Sequence, residues 1–223
     1  VVAEMGNKRQ LIEAMRLEPL WLGLVDKDEW SAEVQTQHQA DHPNLLVLPR
    51  FCLESYLVSP SELWAAFPPK QQAKIEGGET AFRNALLATQ AEWIRHAALW
   101  HGVRPLWQQL QRAGFPDQVS RKPPTPNDEE LLAFFQAWSG LLGNADELLA
   151  RVHGLESQMK TLDADELCQR WLHAKHFYAE VVHPLLDKML GQKPAKERRL
   201  SIFRTRQIAA DLDVVWQAMG MTT

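Results

Sequence analysis

Cysteine and tyrosine are scarce in this chain of 223 residues, which has two of each, and no run of apolar residues approaches the length of a membrane span. Cys52 and Cys168 stand far apart and match no CxxC or Cys/His metal spacing; buried thiols in a reducing compartment are expected. A bilayer crossing needs about 20 apolar residues. The amino terminus also lacks the charged, apolar and small-residue zones of a signal peptide, so a cytoplasmic location is expected, with no membrane partner. Positive charge is not in excess either: the formal net charge is -4 and the pI near 6.1, which argues against a surface coated for tight, indiscriminate nucleic-acid binding but leaves room for a local basic groove. No Walker A pattern and no internal repeat occurs.

What is present is 45% hydrophobic residues, ample for one good core with a helical appendage. Val1 to Met5 reads as a short strand, Gly6-Asn7 as a turn, and Lys8 to Leu17 as a helix with Leu11, Ile12 and Met15 on one face. Leu20 to Val25 is too short and too uniformly apolar for a surface helix and is expected to be a strand buried on both faces. Ser31 to Ala40 reads as a helix, and Leu45 to Leu48 repeats the buried-strand pattern before Pro49. Alternation of this kind favours an α/β unit with parallel strands.

Beyond Phe51 the strand signals fade. Short helices are expected over Cys52 to Val58 and Ser61 to Phe67, then a long helical pattern from Glu79 to Ala113 divided at Gly102 and Pro105. Pro116 to Asn127 is a proline-rich loop, with Asn127 or Asp128 capping the next helix. Helices over Asp128 to Leu142, Ala145 to Lys160 and Ala164 to Leu190 come next, the last kinked at Pro184. A basic stretch, Lys193 to Arg206, then leads into a final helix ending near Met219.

Asp26-Lys27-Asp28 directly follows the Leu20 to Val25 strand. Ligands of open α/β sheets sit at the carboxyl ends of strands. Two carboxylates at i and i+2 on an extended segment point the same way and can share a hard cation such as Mg²⁺ or Mn²⁺. The same tetrapeptide also suits a solvated strand-to-helix turn with Asp28 as an N-cap.

Further elements accompany the pair in order: Gly6-Asn7-Lys8 after the first strand, Leu48-Pro49 leading into Leu53-Glu54-Ser55-Tyr56-Leu57 after the third, and His173-Ala174-Lys175 far downstream. The set resembles the TOPRIM domains of OLD-like nucleases, especially those encoded beside ABC-type ATPases in phage-defence operons. The resemblance covers about residues 1 to 60 and 168 to 190. It implies a TOPRIM-like parallel sheet core at 1–60, a large helical insertion at 61–160, and a helical return to the core with a basic carboxyl-terminal segment at 161–223. It also implies a Mg²⁺- or Mn²⁺-dependent endonuclease acting on DNA or RNA as the toxic effector of an antiviral defence system, with an ABC-type ATPase as partner; a homodimer is one expected assembly. In that reading Asp26, Asp28 and Glu54 bind metal, and Lys175 stabilises phosphate charge. Members of the family carry glycine where Ala174 stands, and their further glutamate, within E-G-x-x-D after an earlier strand, would lie upstream of Val1, so that strand and glutamate are expected to be missing here.

Two rival readings remain: a helical interaction module with a structural DxD, and a fragment of another TOPRIM enzyme, such as a primase or topoisomerase. Trp93, Trp100 and Trp107 recur every seven residues and suit core packing or a partner-helix interface, with base stacking as the alternative. His173, His176 and His183 cluster on one expected helix as surface or hydrogen-bonded histidines or as metal ligands, and Lys193, Lys196, Arg198, Arg199, Arg204 and Arg206 form a positive patch able to track a phosphate backbone.

Overall fold

A computed structural model of the chain describes residues 6–27, 30, 32–115, 127–143 and 145–220. The expected strand at Val1 to Met5, most of the proline-rich loop and Asp28 lie outside the described residues. The chain groups into two compact units, one formed by residues 1–88 with 164–223 and the other by 89–163. The described residues are mostly helical, with one small parallel sheet, and among them no helix is long and apolar enough to cross a membrane.

The first unit opens with α1 (Lys8–Leu17). Its start is set by Asn7, whose side-chain oxygen accepts the Gln10 N–H at 3.0 Å, and its buried face carries Ile12 and Met15. Strand β1 (Gly23–Val25) pairs in parallel with β2 (Leu45–Val47), Gly23 opposite Leu45 and Val25 opposite Val47. The connection runs through α2 (Ala32–Asp41), so the unit is a strand, helix, strand crossover of the kind parallel pairing requires. Met15, Val25, Leu45 and Val47 form a small core, with Leu11 and Trp30 packed against it. Gly23 is needed at that point because a Cβ there would run into the Met15 sulfur.

The sheet differs from expectation in one respect. The strand is not buried on both faces: Leu24 is 45% exposed and Leu20 is 94% exposed, and pairing begins only at Gly23. Side chains alternate across a strand, so only Gly23 and Val25 turn towards the face that α1 covers, while Leu24 turns away from it.

After β2 the chain makes a single 3₁₀ turn, Leu53–Tyr56, and then three short helices, α3 (Pro60–Ala66), α4 (Pro69–Gln72) and α5 (Gly78–Leu86). Ser59 caps α3, with Pro60 at the first helical position where its missing N–H is harmless. Phe82 and Leu86 of α5 are fully buried, and Phe82 meets Phe67 edge-on at 5.4 Å.

The second unit contains α6 (Gln90–Arg112), α7 (Asp128–Leu142) and α8 (Ala145–Met159). Contrary to the expected division, α6 runs unbroken through Gly102 and Pro105, and the helical pattern is interrupted earlier, at residues 87–89. Gly102 is buried because α6 and α8 approach closely there: a Cβ would stand 2.8 Å from Val152 Cγ2. The buried stripe of α6 is Ile94, Ala97, Ala98, Gly102 and Leu106. Trp93 and Trp100 flank it half-buried, and Trp107 is exposed. Asn127 caps α7 reciprocally with Glu130, as its position before an apolar run predicts.

The chain then rejoins the first unit. The expected single helix over 164–190 is instead α9 (Ala164–Glu166) continued by a wide π turn at Leu167–Trp171, a break at Leu172, α10 (Ala174–Phe177), a second π turn at Tyr178–Val182, and α11 (His183–Leu190). Pro184 accounts for the second π turn, because it lacks an N–H and its ring would meet the carbonyl of Glu180 in an α-helix. The carboxyl-terminal part is α12 (Ala195–Thr205), a 3₁₀ turn at Ala210–Leu212 and the short α13 (Asp213–Ala218), two helices where one had been expected to run on to Met219.

Candidate active site

Asp26 is the first residue past β1, and its carboxylate is held from two directions. Oδ1 accepts the Leu53 N–H at 3.0 Å, and Oδ2 lies 3.4 Å from Lys175 Nζ. Leu53 opens the 3₁₀ turn that follows β2, and Lys175 sits on α10, so a strand end, a turn and a distant helix converge on one acid. Both side chains of the ion pair stay partly open to solvent, at 27% for Asp26 and 41% for Lys175. The break at Leu172, with ψ of 149°, and the π turn beyond Phe177 bracket the short helix that carries Lys175; such wide turns recur where a helix has to re-aim side chains.

Glu54 is the next residue of the same 3₁₀ turn, and its Oε1 accepts from Arg199 Nη1 at 3.2 Å. The Arg199 guanidinium lies 5.9 Å from the centre of the Tyr178 ring. Between the two acids in sequence terms stands Cys52, wholly buried. Burial pushes its thiol up to about 12; a hydrogen bond from Ser55 lowers it, and the charges of Glu54 and Asp26 raise it further.

No family model, curated protein or solved structure matches the chain.

Of the four residues expected at the site, Asp26 and Lys175 meet directly, Glu54 lies on the turn whose first N–H Asp26 holds, and Asp28 lies outside the described residues. Among the described residues no group of three or more His, Cys, Asp and Glu side chains stands ready to enclose a metal ion. The donor chemistry nevertheless fits a hard cation of the magnesium type. Such an ion needs only one or two carboxylates, with waters and phosphate oxygens completing its shell.

The histidines are divided. The His173 and His176 rings lie 4.1 Å apart and tilted by 34°, on either side of Lys175 in sequence, and the Phe51 ring lies 5.5 Å from His173. His183 is elsewhere, its Nε2 3.0 Å from Lys193 O and its Nδ1 3.8 Å from Asp187.

The basic stretch is divided: Arg198 and the Arg206 side chain are enclosed, whereas Lys196 and Arg204 are exposed. Arg198 is buried and donates to Asp187 Oδ1 at 2.8 Å and to Gly191 O. Arg206 donates to Tyr56 O and to Glu62 Oε2, the latter at 3.2 Å. With Arg199 on Glu54, three of the six cations are engaged by carboxylates of the same unit. The pairing of Arg199 with Glu54 is the contact that sequence reasoning missed, since a run of arginines reads as one patch when their partners lie far away in the chain.

Arg50 was not foreseen at all. It is buried, forms a two-pronged pair with Glu62 at 2.6 and 2.8 Å, reaches Asp211 at 2.9 Å and Ser55 O at 3.1 Å, and lies 4.2 Å over the Tyr56 ring. This cluster fixes the segment from β2 into α3, and with it the turn that carries Leu53 and Glu54.

Proposed function

We propose that this chain is the TOPRIM-like part of a nuclease that hydrolyses phosphodiester bonds in DNA or RNA, with Asp26, Asp28 and Glu54 holding a Mg²⁺ or Mn²⁺ ion and Lys175 meeting the phosphate. The observation that carries the proposal is the convergence of Lys175 on Asp26 at 3.4 Å, at the carboxyl end of a parallel strand. When bound, a divalent ion there supplies Lewis acidity at the scissile phosphate. The protein's own part is positioning. Asp26 is aimed by the Leu53 N–H, Glu54 by Arg199, and each acid is matched by a cation that can turn to phosphate oxygens once its carboxylate is engaged. By the same resemblance the proposal extends to effector action in antiviral defence beside an ABC-type ATPase, which would be a separate polypeptide.

One contact favours a second reading. Because Asp26 Oδ1 caps the turn at Leu53, the acid also serves as a structural organiser in a helical scaffold. Asp26→Asn separates the two readings, since the amide oxygen still accepts the Leu53 N–H while the charge is lost. Under the nuclease reading Asp26→Asn combined with Asp28→Asn abolishes Mn²⁺ binding in calorimetric titration and lowers Mg²⁺-dependent cleavage in the full-length protein by at least about a hundredfold, with thermal stability kept. Unchanged Mn²⁺ binding and cleavage in that variant would leave only the scaffold.

A further inference from the structure

Next to the strand-end turn, a groove of about 460 Å³ is lined by Lys8, Arg9, Glu13, Arg16, Trp30 and His38 among others. In a chain of net charge -4 this lining carries three formal cations against the single carboxylate of Glu13, which lies 3.1 Å from Arg9. Arg9 and Arg16 are seven residues apart on α1, two helical turns, so both stand on one face about 10 Å apart along the axis. The aromatic part is equally ordered. The Trp30 indole stacks on the His38 ring at 4.6 Å with 24° between planes, and Lys8 Nζ lies 4.4 Å from the indole centre. Trp30 is seated against the small core of the sheet, which holds its ring in place. Lys8 also donates to Lys27 O at 3.3 Å, so the groove adjoins the turn that carries Asp26.

We infer that this groove binds single-stranded nucleic acid, with Arg9 and Arg16 on the phosphates and an unpaired base against the His38 ring, whose other face rests on the Trp30 indole. Cations set beside an aromatic platform are the two elements that sequence-tolerant strand binding requires. A duplex hides its base faces inside the stack and would leave the platform unused, and an acidic peptide would engage the cations but not the rings. The inference deepens the nuclease proposal by naming the substrate class, and it rests on that proposal only for the strand's later fate.

Binding is measured without catalysis, by fluorescence anisotropy of a labelled oligothymidylate of about 15 nucleotides with EDTA present, on the full chain. The expected result is binding that weakens with salt. Arg9→Gln with Arg16→Gln, both exposed positions, should reduce the slope of log K against log salt by roughly 1.4, since each phosphate contact on a single strand contributes about 0.7. His38→Ala should weaken binding about tenfold, and Trp30→Phe, which keeps the packing, should weaken it less. Four results overturn the inference: no binding, binding unchanged in the arginine double variant, a matched duplex bound as tightly as the single strand, or polyglutamate of equal charge competing as well as the oligonucleotide. A chain that binds the strand but ignores Asp26→Asn in cleavage fails the nuclease reading alone, and one that cleaves without using the groove fails this inference alone.

Discussion

Replacing Arg50 should unfasten the first unit more than any exposed charge can. Burial works against a charge at this position, and the hydrogen bonds and charges of Glu62 and Asp211 outweigh it, so the guanidinium is held above its ordinary value. Arg50→Met keeps much of the volume but removes the two-pronged bond to Glu62, the bonds to Asp211 and Ser55 O, and the stacking over Tyr56. Loss of one partner of a buried pair costs about 3–5 kcal/mol. Here Glu62 keeps Arg206 at 3.2 Å, and Asp211 is 37% exposed so its share is screened, which favours the low end, about 3 kcal/mol. For a chain of this size that corresponds to a fall in Tm of roughly 6–12 °C. The assay is thermal and urea unfolding followed by circular dichroism for Arg50→Met, Glu62→Gln and the double variant. The two changes should be coupled by about 1–2 kcal/mol, because the second partner is no longer left facing a missing charge. Additivity within about 0.5 kcal/mol would refute the network as described.

Asp165 is expected to carry part of the acid dependence of stability. Burial alone would raise its carboxyl, yet hydrogen bonds from Ser59 at 2.5 Å and the Ser61 N–H at 3.0 Å, with Arg83 nearby, hold it below its usual value. A depressed folded-state value means stability that is fully present above the unfolded value of about 3.9 and lost as pH falls through the folded one; Asp165→Asn should flatten the acid limb of a stability-pH curve in that range, and an unchanged limb would contradict the assignment. Gly102→Ala should destabilise the second unit by about 1–3 kcal/mol through the clash with Val152 Cγ2, and Val152→Ala in the same chain should restore most of it, as read by urea midpoints. Cys52, wholly buried and pushed up to about 12, should resist a thiol reagent such as DTNB at neutral pH in the folded protein and react at once in urea; rapid labelling of the folded protein at Cys52 would show the thiol to be open.

The local elements were readable where one short-range cause dominates. The Gly6-Asn7 turn before Leu11, Ile12 and Met15 marks α1 correctly to the residue, and of the two caps open for α7, Asn127 and Asp128, the structure uses Asn127. The two strands were found from their apolar runs, but their extent was not, because Leu20 to Leu22 are as apolar as Val25 and only the position of α1 decides which residues pair. Gly102 and Pro105 looked like breakers; a close helix neighbour turned the first into a packing residue, and the second was absorbed in a helix of 23 residues. At the site, Asp26 and Lys175 were named from their place in an ordered set of motifs. Arg199 and Arg50 were not, since their partners Glu54, Glu62 and Asp211 are side chains that no local pattern ties to them.

The π turn at Tyr178–Val182 introduces an angular offset into the chain. An α-helix advances about 100° per residue, so the wider turn resets the phase between the short helix before it and the longer helix after it. Phe177, Leu186 and Asp187 serve the core and Arg198 together only at this offset. A variant shorter by a single residue within the turn would lose that offset, swinging Leu186 out of the interior and Asp187 off Arg198 while Pro184 still barred a regular helix, so the residue count of this stretch matters alongside its proline.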